Sequence, residues 1–157
     1  CDTFNIPIVS LVDEPGFLIG PDAEKAGTIL HGTEAVLATT ESTVPWTTVM
    51  IRKSFGVAAA AHYGPDGYVL AWPSAESGPL PLEGGVAVAF KKEISEAEDP
   101  EAKRKELEEK MAKNQNPFPR AEAFSVHEII DPRETRKYIS LWAERIQSQL
   151  KASLMSR

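Results

Sequence analysis

The residues able to do chemistry in this sequence sit in turns. Segment 52–64 reads RKSFGVAAAAHYG. Two cations, Arg52 and Lys53, precede Gly56, and Val57 is followed by four consecutive alanines. Four small side chains bury little apolar area, at about 25 cal/mol per Å², so core formation explains them poorly. A glycine turn entering a helix leaves backbone N–H groups without intrahelical acceptors, and these stabilise negative charge on a nearby oxygen. Small side chains let that oxygen approach. Gly56, Val57 and Ala58 have this character, with Ala59 and Ala60 beside them. The residues alone equally support a second reading, in which the alanines permit tight helix packing. Glycine turns recur at Pro15-Gly16-Phe17 and Glu83-Gly84-Gly85.

Other constellations are weaker. His31, His62 and His127 lie far apart in different predicted elements, and none has the spacing of a metal pair on one helix. We expect no metal site and local hydrogen bonds for each histidine. Ser54 and His62 lack a third partner for hydrolytic chemistry. No nucleophile elbow, phosphate loop of the Gly-Lys-Ser/Thr type or dinucleotide fingerprint is present. Asp131-Pro132-Arg133-Glu134 reads as a helix cap, and the charge run at 99–113 as a solvated helix face.

These turns must be positioned by ordinary elements. The chain has 157 residues, 42% hydrophobic and 25% charged, with a net charge of −6. Such a chain fits one domain or part of a larger one. Its acidic balance argues against nucleic acid, whose phosphates need clustered cations. No stretch has the apolar length of a membrane span. A single cysteine excludes an internal disulfide framework and points to a reducing, cytoplasmic-type setting.

The apolar run at 6–12 predicts a strand covered on both faces. Because it lies so near the first residue, we expect a fragment with partner strands encoded upstream. A helix is predicted over 21–40, with Asp22 as cap and Ala26, Ile29, Leu30, Thr33 and Val36-Leu37 on its buried face. Strands follow at 46–51 and 68–72, with a turn at 52–56 and a short helix at 57–62. Residues 78–81 read as irregular and 83–94 as helix. A charged helix spans 99–114, capped by Asp99 with Pro100 in its first turn. The stretch 115–120 reads as loop and 126–130 as a short apolar segment. A last helix presents Ile139, Trp142, Ile146 and Leu150 on one stripe. This alternation predicts a parallel α/β fold.

Taken in order, Asp13-Pro15-Gly16-Phe17, His31-Gly32, Arg52-Lys53, Gly56, Trp72-Pro73, Ala75-Glu76 and Asp131-Pro132-Arg133-Glu134-Thr135 resemble the C-terminal part of biotin-dependent acyl-CoA carboxyltransferases. That family includes the β subunits of propionyl-CoA and acetyl-CoA carboxylases and the α subunits of sodium-pumping decarboxylases. The resemblance covers nearly the whole chain. It implies a crotonase-like α/β fold, in which residues 1–157 are the C-terminal portion of the carboxyltransferase C domain and the N domain is absent. It implies transfer of a carboxyl group from N-carboxybiotin to the α-carbon of an acyl-CoA, with biotin carried on a partner protein or domain. The implied partners are a biotin carboxylase and biotin carboxyl carrier component, and further copies in a homo-oligomer whose active sites lie between subunits. The fragment alone should be inactive, and the compartment cytoplasmic or the mitochondrial matrix. The alternatives are a decarboxylase coupled to a sodium pump, and a non-catalytic assembly module.

The resemblance also implies roles. Val57 and Ala58 would offer N–H groups to the ureido oxygen of biotin, with Gly56 making the turn. Asp13, Pro15, Gly16 and Phe17 would shape the biotin pocket, the Phe17 main chain touching the ring. Ala59 and Ala60 would line the acyl pocket. Two departures stand out. Many propionyl-type members have a second glycine at Val57 and an acidic residue at Ala60, so a different acyl preference is expected here.

Overall fold

A computed structural model describes residues 1–155. The elements run β1 (Ile8–Glu14), α1 (Pro21–Lys25), α2 (Thr28–Thr40), β2 (Trp46–Phe55), α3 (Gly56–Ala60), β3 (Tyr68–Ala71), β4 (Glu76–Gly78), α4 (Leu82–Ala89) and α5 (Lys91–Ser95). Then come α6 (Pro100–Ala112), α7 (Pro117–Glu122), β5 (Glu128–Ile129), a single 3₁₀ turn (Pro132–Glu134), α8 (Thr135–Arg145) and α9 (Gln147–Met155). All strand pairs are parallel, in the order β1-β2-β3-β5. Strand β4 pairs the last residues of β2, Lys53 to Phe55, beyond the stretch that pairs with β3.

Successive β2 side chains point to opposite faces, and a core lies on each. Met50 packs with Val69, Ala71, Ala75 and Val126 on one face. Val49, Leu70 and Ile130 form the other, covered by Trp72, Tyr138 and Ile139. Trp142 and Ile146 of the expected α8 stripe are buried. Asp99 caps α6, its Oδ1 accepting from the Glu101 and Ala102 amides. Asp131 likewise caps the 3₁₀ turn through the Arg133 amide at 2.9 Å.

Several expectations need correction. Strand β1 is covered on one face only: Val9 and Leu11 are 41% and 55% exposed, while Val12 is fully buried. The helix expected over 21–40 is two helices, because Gly27 adopts φ 74° and breaks it. Gly20, not Asp22, precedes α1, with Pro21 in its first turn. The apolar stripe of α2 lies outward, with Ile29, Leu30 and Leu37 exposed; Gly32 and Thr39 face inward. Residues 52–55 extend β2 rather than turn. Segment 76–78 is a strand, the helix over 83–94 breaks at Phe90, and 117–122 is a helix that Asn116 caps through the Phe118 amide.

Candidate functional site

The two glycine turns leave the same end of the sheet from adjacent strands. Ladder partners β1 and β2 run parallel, with Glu14 opposite Ser54 after a register shift. Segment 15–17 therefore departs next to the start of α3. Asp13 fastens the two strands here: its carboxylate accepts from Arg52 Nε at 3.0 Å and from the Lys53 amide at 3.2 Å. The Arg52 hydrogen bond holds the Asp13 carboxyl below the usual carboxylate range.

Gly56 makes the turn into α3 with φ 64°, which L side chains rarely adopt. An added Cβ would also touch the Pro79 carbonyl oxygen, at 3.4 Å. No side chain caps the start of α3. First-turn N–H groups have no intrahelical acceptor, and the turn, loop and cap hydrogen bonds among the described residues use neither the Val57 nor the Ala58 nitrogen as donor. Val57 and Ala60 are exposed, whereas Ala58 and Ala59 are buried. Two alanines pack inward against the sheet, and Ala60 leaves room outside.

At the neighbouring turn, Gly16 has φ 126° and open space where a Cβ would stand. Its amide donates to Glu14 Oε1 at 2.9 Å. The Phe17 ring lies over Gly32 of α2, where any side chain would overlap it. Gly32 thus gives the Phe17 ring its seat. Pro15 is exposed beside it. All the residues expected at the site, Asp13, Pro15, Gly16, Phe17 and 56–60, belong to one edge of the molecule.

The isolated polar side chains are accounted for locally. His62 Nδ1 lies 3.2 Å from Ser10 Oγ, and Ser54 Oγ lies 2.7 Å from the Tyr63 hydroxyl. Ser54 and His62 therefore form no dyad. Burial holds the Tyr63 phenol above its ordinary range. His31 pairs with Glu34, and His127 Nδ1 accepts from the Val69 amide. Sequence reasoning missed the roles of Ser10, Thr39 and Thr48: Thr48 in its apolar strand is already explained by strand propensity, and nothing local to Ser10 or Thr39 announces the distant partner its hydroxyl meets.

Two cavities lie elsewhere. One of about 300 Å³ sits at the amino ends of the strands, among Trp46, Tyr68 and Trp142. Another of about 260 Å³ lies beside β4 among Ser77, Gln115 and Arg120. Neither is lined by residues 56–60; in α3 it is Gly56, Val57 and Ala60 that are exposed.

The carboxyl edge of the parallel sheet presents two glycine turns, one opening into a short helix of small residues. The chain belongs to the carboxyl transferase domain family, whose model matches residues 1–155. It is 40% identical to the carboxyltransferase subunit of propionyl-CoA carboxylase from Haloferax mediterranei, over 97% of this chain and 30% of the relative. It is also 40% identical to the α subunit of methylmalonyl-CoA decarboxylase from Propionigenium modestum, over 88% of this chain and 28% of that protein. The crystal structure of transcarboxylase 12S, a hexamer with methylmalonyl-CoA and methylmalonic acid bound, superposes with TM-score 0.84 at 42% identity, over 94% of this chain and 29% of its own. The fold is the mixed α/β, crotonase-like one expected. The chain spans less than a third of the length of these relatives. No helix among the described residues is long and apolar enough to cross a membrane.

Proposed function

We propose that the protein is a biotin-dependent acyl-CoA carboxyltransferase and that residues 1–157 are the C-terminal portion of its C domain. The observation that supports this most is the first turn of α3, where the Val57 and Ala58 amides have no intrahelical acceptor, behind a left-handed Gly56 and beside the Asp13–Phe17 turn. Bound biotin, on a carrier protein, would supply the carboxyl group and would carry negative charge on its ureido oxygen once that group is transferred to the acyl-CoA. The Val57 and Ala58 N–H groups stabilise that charge without moving, which is where preorganised donors are most effective. Gly56 aims them, and the Asp13–Arg52 pair keeps the Gly16–Phe17 turn alongside. Phe17 is seated by Gly32, leaving its main chain to border the biotin ring. The cradle fits the group: it offers donors, small walls and no competing carboxylate within α3.

The open surface of α3 supports a site completed by another domain or subunit that holds the acyl-CoA. A biotin carboxylase and carrier component are the partners in this reading, in a cytoplasmic or matrix compartment. Its test is Val57→Pro in the full-length enzyme. Val57 is the second residue of α3, in the first turn, where proline is tolerated and removes an N–H that has no intrahelical acceptor. Turnover should fall roughly 10²–10³-fold with thermal stability preserved; unchanged turnover would refute the assignment. Ala60→Asp should shift relative activity across acyl chain lengths, and an unaltered profile would remove Ala59 and Ala60 from the acyl pocket. The similarity to a decarboxylase α subunit supports a second reading, with the same site run in the decarboxylating direction. A membrane pump subunit as a copurifying partner would favour it.

A further inference from the structure

Three consecutive residues at the exit of α3 are each held by a hydroxyl, one from α2 and two from β2. Thr39 of α2 donates to the Ala61 carbonyl at 3.0 Å. Thr48 of β2 donates to the His62 carbonyl at 2.8 Å. Ser54 of β2 meets the Tyr63 hydroxyl. Ser10 of β1 adds a fourth tie through His62 Nδ1. Thr39, Thr48 and Ser54 are buried, Thr48 completely.

Packing does not require these hydroxyls. A valine fills nearly the same volume as threonine, and a buried hydroxyl is costly unless it is hydrogen-bonded. Helix α3 has five residues, too few to hold itself by its own hydrogen bonds. The Ala58, Ala59 and Ala60 carbonyls accept from the Ala61, His62 and Tyr63 amides, and the two threonines tie down the next two carbonyls, those of Ala61 and His62. The anchors are unequal. Thr39 Oγ1 is also 3.0 Å from Ala35 O of its own helix, so one proton is shared between two acceptors. Thr48, with its χ1 restricted by β-branching, is the stiffer one. Ser10 lies on the strand that ends at Glu14, so its tie joins α3 to the strand carrying the Asp13–Phe17 turn.

We propose that Thr48, Thr39 and the Ser10–His62 pair are positioning residues: a hydroxyl clamp on residues 61–62 that fixes α3 and so holds the Val57 and Ala58 amides in register with the neighbouring β1 turn. The catalytic consequence rests on the carboxyltransferase reading above, whereas the clamp itself does not.

The test compares wild type, Thr48→Val and Thr48→Ser in the full-length enzyme, by hydrogen exchange and by steady-state kinetics. Thr48→Val should speed amide exchange in segment 55–63 by about tenfold to a hundredfold and leave segment 68–72 at the wild-type rate. It should lower kcat about tenfold or more at constant KM for acyl-CoA, since misplaced donors cost turnover rather than ground-state binding. Thr48→Ser should restore both to within about twofold, because the hydroxyl is retained. Wild-type exchange in 55–63, or exchange raised uniformly across the sheet, would overturn the clamp. Should Thr48→Val fail to fold, Thr39→Val provides the same readout with a smaller change. Faster exchange with full turnover would overturn the catalytic role of the clamp if Val57→Pro is inactive. If Val57→Pro is also fully active, it is the donor assignment that fails, and the clamp stands as judged by exchange.

Discussion

The two ends of β2 are built from different materials. At its first residue, Trp46 lies against the Gly64 backbone and donates its indole N–H to Ser42 Oγ at 3.0 Å. Tyr68 and the buried Trp142 share the cavity beside it. Burial, reinforced by the Glu128 carboxylate, pushes the Tyr68 phenol up to about 12. At its last residues the strand runs into Gly56 and the alanines, and the fixing contacts are hydrogen bonds: Ser54 Oγ meets the Tyr63 hydroxyl, and the Lys53 amide donates to the Asp13 carboxylate. Aromatic burial is strong but non-directional. Hydrogen bonds are individually modest but directional. In the reading proposed above, one end supplies stability and the other orients backbone donors.

The largest effect that would sharpen this contrast is at the aromatic end. Trp142→Ala in the full-length protein should cost about 3–5 kcal/mol of stability, read as a lowered denaturant midpoint. The folded fraction should keep its turnover number, because none of the residues lining the cavity lies in α3. A loss of kcat in protein shown to be folded would break the division of labour between the two ends.

Gly56→Ala probes the opposite end. The left-handed φ costs an L residue roughly 1–2 kcal/mol, and the new methyl would press on the Pro79 carbonyl. The stability change should be smaller than for Trp142→Ala and the turnover change much larger, about tenfold or more. The two variants should thus reverse their order between a denaturation curve and a kinetic assay. Preservation of that order in both assays would mean that α3 is ordinary core.

How much of this was legible in the sequence depends on which force set each part. The parallel sheet, the Asp99 and Asp131 caps and the buried Trp142–Ile146 stripe follow from apolar periodicity and local capping, which single residues reveal. The Gly56 turn and the small-residue character of α3 were equally visible, since a glycine and a run of alanines after a strand leave the backbone as the chemically active group. Strand β4 was not: Glu76-Ser77-Gly78 has no strand composition, and it pairs only because Ser77 is held from both sides, by β2 and by the Gln115 carbonyl at 2.8 Å. The outward stripe of α2 misled because periodicity marks an apolar face without saying what covers it. Thr48 misled for the opposite reason, its strand propensity being sufficient to account for it, and Thr39 because the carbonyl it meets lies 22 residues on. The Phe17–Gly32 contact joins residues fifteen apart, and nothing local announces it.

The smallest effect tests how tightly the two turns are tied. Asp13 joins β1 to Arg52 and to the Lys53 amide from a partly exposed position. Exposed ion pairs are worth about 0–1 kcal/mol, so Asp13→Asn should lower stability only within that range at pH 7. Turnover should change by no more than about threefold. The direction with pH is fixed. The Asp13 carboxyl is held below its ordinary value in the fold, first by the Arg52 hydrogen bond, so its contribution is complete above the unfolded carboxylate pKa of about 3.9. That contribution fades as pH falls through the lower folded value. Wild type and Asp13→Asn should accordingly differ in denaturant midpoint at neutral pH and converge in acid. They should also converge at about 1 M salt, where screening acts within roughly 3 Å. A difference that persisted in acid would show that Asp13 acts through packing rather than charge. The edge that aligns the two turns would then rest on the β1–β2 ladder alone.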